Sequence, residues 1–273
     1  MFDIVMPLFN KEDFVAATIE SVFAQSFGEW RLIVVDDGSK DGSAAIVERF
    51  GDLRIVLIKQ KNSGPGVARN TGIAAGRGDR IAFLDADDIW LPRHLEELQE
   101  VRREFPDAVL VGTSYIQWPG GERIIPVEPS SVTRRPVRYF RELAHVGPPF
   151  YTSSAAFSRT AVEAVGPLKP VVVGDETELW VRLALHGTVA ASNRPTVLYR
   201  VGTGGITDSD VRQDIPASQP LELSEVSLPI ATAASRLGGV EDPQLRSDLT
   251  DFIDYEVGIA LRRHAVRAYS CYC

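Results

Sequence analysis

Four short apolar runs rich in β-branched residues, Ile4–Met6, Leu32–Val35, Ile55–Ile58 and Ile81–Leu84, constrain this chain more than any other feature. None alternates strictly with polar residues, which is how strands buried on both faces of a parallel sheet read. The stretches between them carry helical spacing. In residues 11–25, Phe14, Ala17, Thr18, Val22 and Gln25 share one face and leave Lys11, Glu12 and Glu20 for solvent. Residues 43–50 and 66–76 read as a second and a third helix. A fourth, 92–105, opens with Pro92 and stops before Pro106. Strand–helix alternation implies right-handed crossovers and a doubly wound α/β sheet, whose ligands bind outside the carboxyl ends of the strands.

The polar clusters fall at those ends: Asn10 after the first strand, Asp36-Asp37-Gly38-Ser39 after the second, Asp85-Ala86-Asp87-Asp88 after the fourth. Carboxylates so close repel and raise each other's pKa, so a bound metal is their natural compensation. Hard cations such as Mg²⁺ and Mn²⁺ take oxygen ligands and share them with phosphates. In the second cluster Ser39, Asp41 and Gly42 are explained as turn and capping residues. Two adjacent aspartates at the strand end are not, and Asp36 or Asp37 is expected to meet a ligand. Residues 63–72 form a glycine-rich turn entering a helix, where backbone N–H groups could meet an anion. The spacing matches neither the dinucleotide fingerprint nor the P-loop. Arg69 and Asn70 are its informative part, because an arginine beside this many acids can organise them.

Composition narrows the function classes. The 273 residues can bury the core of one large α/β domain or of one domain plus an appendage. A net charge of −8 argues against a broad nucleic-acid footprint. No apolar run approaches the length of about 18 residues that a membrane span needs. The N-terminus enters a strand at once, so no signal peptide is expected. Cys271 and Cys273 lie two residues apart at the very end and read as an incidental tail. A cytoplasmic, reducing location is expected.

The second half is less regular. Shorter strands are expected near 108–117 and 153–157, with a Pro/Arg-rich passage between them in which Arg134, Arg135, Arg138 and Arg141 read as a solvated face rather than a surface for an anionic acceptor or lipid headgroups. Residues 175–186 form an amphipathic helix and 197–201 a further strand. Residues 202–220, with Gly202, Gly204, Gly205, Pro216 and Pro220, read as a flexible loop, and 221–268 as helical. His145 and His186 read as ordinary surface or core histidines.

Four segments, Pro7-Leu8-Phe9-Asn10, Val35-Asp36-Asp37-Gly38-Ser39-x-Asp41, Gly66-Val67-Ala68-Arg69-Asn70-x-Gly72 and Phe83-Leu84-Asp85-Ala86-Asp87-Asp88, occur in order and at compatible spacing. Together they resemble the donor-binding half of the family-2 glycosyltransferases, an inverting group with the GT-A fold. The resemblance is tight over residues 2–110 and loose over 150–201. It implies a GT-A type, Rossmann-like doubly wound mixed sheet with helices on both faces, plus a C-terminal helical extension. Residues 1–110 would be the donor half, 111–201 the acceptor and catalytic half, 202–220 a loop or lid, and 221–273 the extension.

The same resemblance implies roles by position. The nucleotide base would lie near Pro7 and Phe9 and against Asp37. Phe9 stands where the family more often has tyrosine, which removes a hydroxyl and keeps the aromatic face. Arg69 matches a base- or diphosphate-side contact, Asp85 the ribose side, and Asp87 the direct ligand of Mn²⁺ or Mg²⁺. Asp88 is open between metal, donor sugar and capping the next helix. Asn10, Asp36, Trp180 and Arg182 are further candidates for donor or acceptor contact. An inverting transferase needs a base for the acceptor hydroxyl, and in the family it sits in a Glu-Asp-like pair entering a helix. Here the order is Asp175-Glu176; register to Trp180 and Arg182 leaves both open, with Asp175 preferred. The segment from Gly202 to Thr207 resembles a loop that closes over the diphosphate.

The implied function is metal-dependent transfer of a sugar from a nucleotide-diphosphate donor, with UDP expected, to a hydroxyl of a glycan or lipid-linked acceptor in polysaccharide biosynthesis. Dimerisation, or peripheral association with the inner face of the membrane, could use the C-terminal helices. The rival readings are a haloacid-dehalogenase-like phosphatase, a nucleotidyltransferase and a non-catalytic glycan-binding relative. The phosphatase reading leaves the Asp-Asp-Gly-Ser and Arg-Asn motifs unexplained, and the nucleotidyltransferase reading lacks its N-terminal glycine-rich basic loop.

Overall fold

A computed structural model describes residues 1–120, 129–169, 175–203 and 228–270, with the side chains of 175, 228 and 258–270 left out. Gly174, the segment 204–227 and the cysteine tail therefore lie outside the described residues.

The four buried runs form β1 (Phe2–Leu8), β2 (Trp30–Asp36), β3 (Ile55–Lys59) and β4 (Arg80–Phe83), all parallel to their neighbours in the order β3-β2-β1-β4. Side chains alternate faces along a strand. In β1, Ile4, Met6 and Leu8 enter one apolar cluster with Leu32, Val34, Trp90 and Leu98, while Val5 enters another with Phe83, Phe157 and Trp180. Both faces are buried, which is why the run shows no polar alternation. Helices α1 (Val15–Phe23), α2 (Ser43–Arg49) and α3 (Pro65–Ala75) are the crossovers, and α4 (His94–Glu104) follows the two-residue strand β5 (Ile89–Trp90). Pro92 precedes α4 rather than opening it. Its carbonyl accepts the Ser26 N–H.

Beyond β4 the sheet becomes mixed. β8 (Ala155–Ser158) runs antiparallel between β4 and β6 (Ala108–Trp118), and β9 (Thr188–Arg200) is parallel to β6. β5 and the short β7 (Arg134–Pro136) pair antiparallel with β9, so the described strands form one nine-stranded sheet spanning both halves of the chain. β9 begins nine residues earlier than the sequence suggests. Pro195, an unfavourable residue inside a strand, falls at a register shift against β6, where the ladder is already irregular. The short helices α5 (Tyr139–His145) and α6 (Arg159–Val165) also carry too few turns to announce themselves.

Close approach fixes α3 on the sheet. A Cβ at Gly72 would collide with Val5, so only glycine allows this helix to lie so near β1. Asp3, fully buried in β1, accepts from Arg159 Nη2 at 2.7 Å, and the same guanidinium donates to the carbonyls of Ile73 and Gly78.

The C-terminal helices α8 (Leu228–Arg236) and α9 (Pro243–Ser270) pack onto the main body. Ile230, Ala233, Leu249 and Phe252 are buried, and Phe252 meets Phe140 of α5 at 5.7 Å between ring centres. Three of the four arginines in the Pro/Arg-rich passage, Arg135, Arg138 and Arg141, are exposed, as a solvated face requires, yet three of the four are also paired. Arg134 pairs with the buried Glu97 at 2.8 Å, Arg135 with Glu142, and Arg138 with Asp248 of α9. Arg141 is exposed and has no such pair among the described residues. Each carboxylate comes from a distant or short element that spacing does not reveal. Among the described residues no helix is long and apolar enough to cross a membrane.

His94 is fully buried at the start of α4, its Nδ1 2.7 Å from the Thr196 hydroxyl, which in turn donates to Thr113. Its Nε2 has no partner among the described residues. Burial lowers its pKa to about 3. Between the free value near 6.5 and that value, the unfolded chain binds a proton that the folded chain refuses. Stability is therefore complete above about pH 6.5 and falls by about 1.4 kcal/mol per unit as the pH drops through the window. Urea titrations from pH 7 to 4 should show this limb, less steep in His94→Asn; equal slopes would mean that His94 does not drive it.

Candidate active site

The carboxyl ends of β1, β2 and β4 converge as the topology demands. At the end of β1, Pro7 is half-buried and the Phe9 ring is 44% exposed, so an aromatic face is open to solvent beside the strand end. Asn10 adopts φ +51°, a left-handed conformation that asparagine tolerates. Its Oδ1 accepts the Lys40 N–H at 2.8 Å, and its N–H donates to Ser39 Oγ. Asn10 thereby braces the Asp-Asp-Gly-Ser turn, in which Gly38 takes φ +79°.

The two aspartates of that turn differ. Asp36 Oδ1 accepts the Ser39 N–H at 3.0 Å, closing the turn on itself. Asp37 reaches across to the entrance of α3, accepting from Gln60 Nε2 and from the backbone N–H groups of Ser63 and Gly64 at 2.8–2.9 Å. A carboxylate offers about four acceptor positions, and one of them remains for a further donor.

Asp37 thus sets where α3 begins, and α3 delivers Arg69. This guanidinium is 5% exposed, lies over the Phe83 ring, and donates from Nη2 to Asp85 Oδ1 at 2.8 Å. Its Nη1 stands 3.6 Å from Glu176 Oε2 at the start of α7 (Asp175–His186). Glu176 Oε1 also accepts from Thr152 Oγ1 at 3.3 Å. The second-half acid is therefore brought beside the first-half cluster. The side chain of Asp175, its neighbour in the pair, lies outside the described residues.

The three carboxylates after β4 have separate partners. Burial pushes the Asp85 carboxyl up; Arg69 draws it back, and Asp87 and Glu176 add to the push. Asp87 Oδ2 lies 2.8 Å from Lys11 Nζ and accepts from Thr203 Oγ1 at 2.6 Å. Asp88, 1% exposed, accepts from Ser153 Oγ and from the Arg200 N–H at the end of β9. Burial first, then Asp85, holds its carboxyl well above the usual range. Asp88 does not cap α4, whose first turn has no side-chain cap. Instead it clamps the β4 end, the short 3-10 turn Thr152–Ser154 and the end of β9.

Trp180 and Arg182 stand apart from this cleft. Trp180 is 4% exposed and packs among Phe83, Phe150 and Phe157. Arg182 binds the buried Glu178 and the carbonyls of Val165, Gly166 and Pro167. Their expected contact with donor or acceptor gives way to interior packing, because the helical face that carries them is the buried one. The sequence reading left Lys11 for solvent, whereas it pairs with Asp87, and it did not single out Thr152 or Ser153. Lys11 directly follows the Asn10 motif and was visible; Ser153 had no local signal.

The donor set suits a hard cation in one specific way. Asp87, with Asp85 beside it, offers oxygens only, and its Oδ2 already faces a cationic group, Lys11. Among the described residues no three His, Cys, Asp or Glu side chains form a metal cage. Such a site fits Mn²⁺ or Mg²⁺ completed by phosphate oxygens rather than a dedicated protein cage.

Similarity to known proteins bears on the family and the fold. The chain is 41% identical over 97 residues, 35% of its length, to the Escherichia coli UDP-Glc:alpha-D-GlcNAc-diphosphoundecaprenol beta-1,3-glucosyltransferase WfgD, and the match spans 38% of that enzyme. Its fold matches that of S. aureus TarS 1–349 in complex with UDP-GlcNAc, with a TM-score of 0.73 and 17% identity over 94% of this chain and 72% of that one. It also matches the mannosyltransferase PcManGT from Pyrobaculum calidifontis in complex with GDP-Man and Mn²⁺, with a TM-score of 0.67 and 19% identity over 99% of this chain and 74% of that one. At such identities these two report the fold alone, which is GT-A. The model of the family described as Glycosyl transferase family 2 matches residues 3–166, well over half of the chain, and the chain belongs to that family.

Proposed function

We propose that this chain is a metal-dependent inverting glycosyltransferase that moves a sugar from a UDP-sugar to a hydroxyl of a glycan or lipid-linked acceptor. One observation carries the reading: Arg69 joins Asp85 and Glu176, so an acid able to act as base stands beside the acids able to hold a nucleotide diphosphate. Family membership sets aside the phosphatase, and the intact acids favour an enzyme over a non-catalytic relative. The UDP preference is supported by the open Phe9 ring, by the remaining acceptor position on Asp37, and by the UDP-sugars in the names of the E. coli relative and the TarS complex. An acceptor carried on a lipid would place the enzyme at the inner face of the membrane.

In this reading Pro7, Phe9 and Asp37 hold the base, Asp85 faces the ribose, and Arg69 fixes Asp85 for that contact. Asp87 would hold Mn²⁺ or Mg²⁺, which would supply Lewis-acid stabilisation of the charge gathering on the departing diphosphate. We assign the base to Glu176. Thr152 and Arg69 orient its carboxylate toward the cluster, and it takes the acceptor hydroxyl's proton as that oxygen attacks the anomeric carbon. The bond to the diphosphate breaks in the same displacement, and the configuration inverts.

Incubation with UDP-glucose and UDP-GlcNAc in the presence of Mn²⁺ should raise the Tm and release UDP slowly. A phosphomonoester hydrolysed by a chain that binds no nucleotide sugar would refute the reading. Asp87→Ala should abolish the Mn²⁺-dependent part of the Tm rise. Glu176→Gln should keep that rise while the turnover rate falls by about 10²-fold or more, and Asp175→Asn should stay within a few-fold of the parent, as about 1 kcal/mol or less implies. The opposite pattern would move the base to Asp175.

A further inference from the structure

Three tyrosines from separate parts of the chain gather where the active site meets the second half of the sheet. Tyr115 lies in β6, Tyr199 in β9, and Tyr151 just before the 3-10 turn. The register pairs Tyr115 with Val197 and Gln117 with Tyr199, so Tyr115 and Tyr199 are diagonal neighbours on one face of the two strands. Tyr151 closes over both, with ring centres 4.2 Å from Tyr115 and 5.1 Å from Tyr199. All three are only half-buried.

Their chain neighbours define the place. Tyr151 precedes Thr152, whose hydroxyl holds Glu176. Tyr199 precedes Arg200, whose N–H holds Asp88 and whose Nε donates to the Asp87 carbonyl at 2.9 Å. The aromatic group therefore lies on the backbone segments that carry Thr152 and Arg200, next to the contacts these make with Glu176 and with the carboxylates after β4. The residues assigned to the nucleotide lie on β1, β2, α3 and β4 instead.

Core packing alone does not ask for three phenols. The interior clusters are built mainly from Phe, Leu, Ile, Val and Ala, which leave no polar tip to satisfy, and Tyr115 is only partly buried against one of them. Tyrosine is favoured where one end of a side chain is apolar and the other wet. Burial and the neighbouring phenols push the Tyr115 hydroxyl up, so it stays a neutral hydrogen-bonding group. A pyranose ring has a matching character, with a C–H face for an aromatic ring and a rim of hydroxyls for phenol groups.

We propose that Tyr115, Tyr151 and Tyr199 form the acceptor subsite, on which a pyranose ring stacks so that one of its hydroxyls faces Glu176. The proposal rests on the transferase reading and adds to it the chemical class of the acceptor's reacting end, a sugar rather than an alkyl or isoprenoid hydroxyl.

Saturation-transfer NMR on the full chain tests it, with UDP and Mg²⁺ present and methyl α- and β-pyranosides of glucose, galactose, mannose and N-acetylglucosamine as probes. At least one pyranoside should receive saturation at its ring C–H protons. Tyr151→Ala and Tyr199→Ala should weaken that binding about tenfold, and Tyr151→Phe and Tyr199→Phe should retain most of it. The UDP-dependent rise in Tm, unchanged in every variant, separates loss of the platform from loss of the fold. A parent chain stabilised by UDP but silent toward every pyranoside overturns the platform alone, as does binding untouched by both alanine variants or binding of farnesyl phosphate without any pyranoside. A parent chain with neither response overturns the transferase reading and the platform with it.

Discussion

Arg69 is the charge on which the site depends. Asp85 ends the run that follows β4, Glu176 begins α7, and the two stand on either side of one buried guanidinium. Like charges gathered in a partly buried site repel, and Asp87 and Glu176 both act on Asp85 in that way. Arg69 replaces that repulsion with two attractions. It can do so only because α3 is fixed at both levels of packing: Asp37 holds its first turn through Ser63 and Gly64, and Gly72 lets it press against Val5. A carboxylate just after the second strand thus determines where an arginine meets carboxylates from both halves of the chain.

Exposure divides the acids into two groups. Asp88, Glu97 and Glu178 are all at most 1% exposed and are surrounded by donors from several elements. Each of these joins parts of the scaffold, and removing one would leave buried donors unpaired. Asp85, Asp87 and Glu176 keep side-chain exposures of 30%, 14% and 25%. They face the cleft and retain room for something besides protein. This separation fits a site in which some acids set the shape and others meet the ligand.

The parallel half of the fold was legible because its signals are local. β-branched runs, helical spacing and polar clusters at strand ends are properties of neighbours in sequence, and topology alone then brings the clusters together. The second half resisted for the opposite reason. β8 is a four-residue strand inserted antiparallel between β4 and β6, and β9 hides behind Pro195 at its register shift. The ion pairs of Arg134, Arg135 and Arg138 were not legible because Glu97, Glu142 and Asp248 lie on elements that spacing does not connect to them. Trp180 and Arg182 were placed by motif register, which fixes position along a helix but not which face meets the core. Asp88 shows the same limit. Its clamp to Ser153 and Arg200 spans 65 and 112 residues of chain, beyond the reach of any local pattern.

The three carboxylates after β4 differ in what would be lost if their partners changed. Asp88 holds a backbone N–H of β9 and the serine that supports the Asp85 N–H, so freeing it would disturb two strands at once. Asp85 is bound to a guanidinium that is itself buried and shared with Glu176. Asp87 is held by Lys11, whose ammonium sits on a flexible four-carbon stem, and by the hydroxyl of Thr203 near the end of β9. Rotation of Lys11 would unpair one backbone carbonyl, that of the partly exposed Thr203 beyond the end of β9, and the carboxylate it leaves remains at the cleft. Among the three, Asp87 is therefore the one whose cationic partner can be exchanged at least cost to the fold, which is what a direct ligand of a donor-bound cation requires.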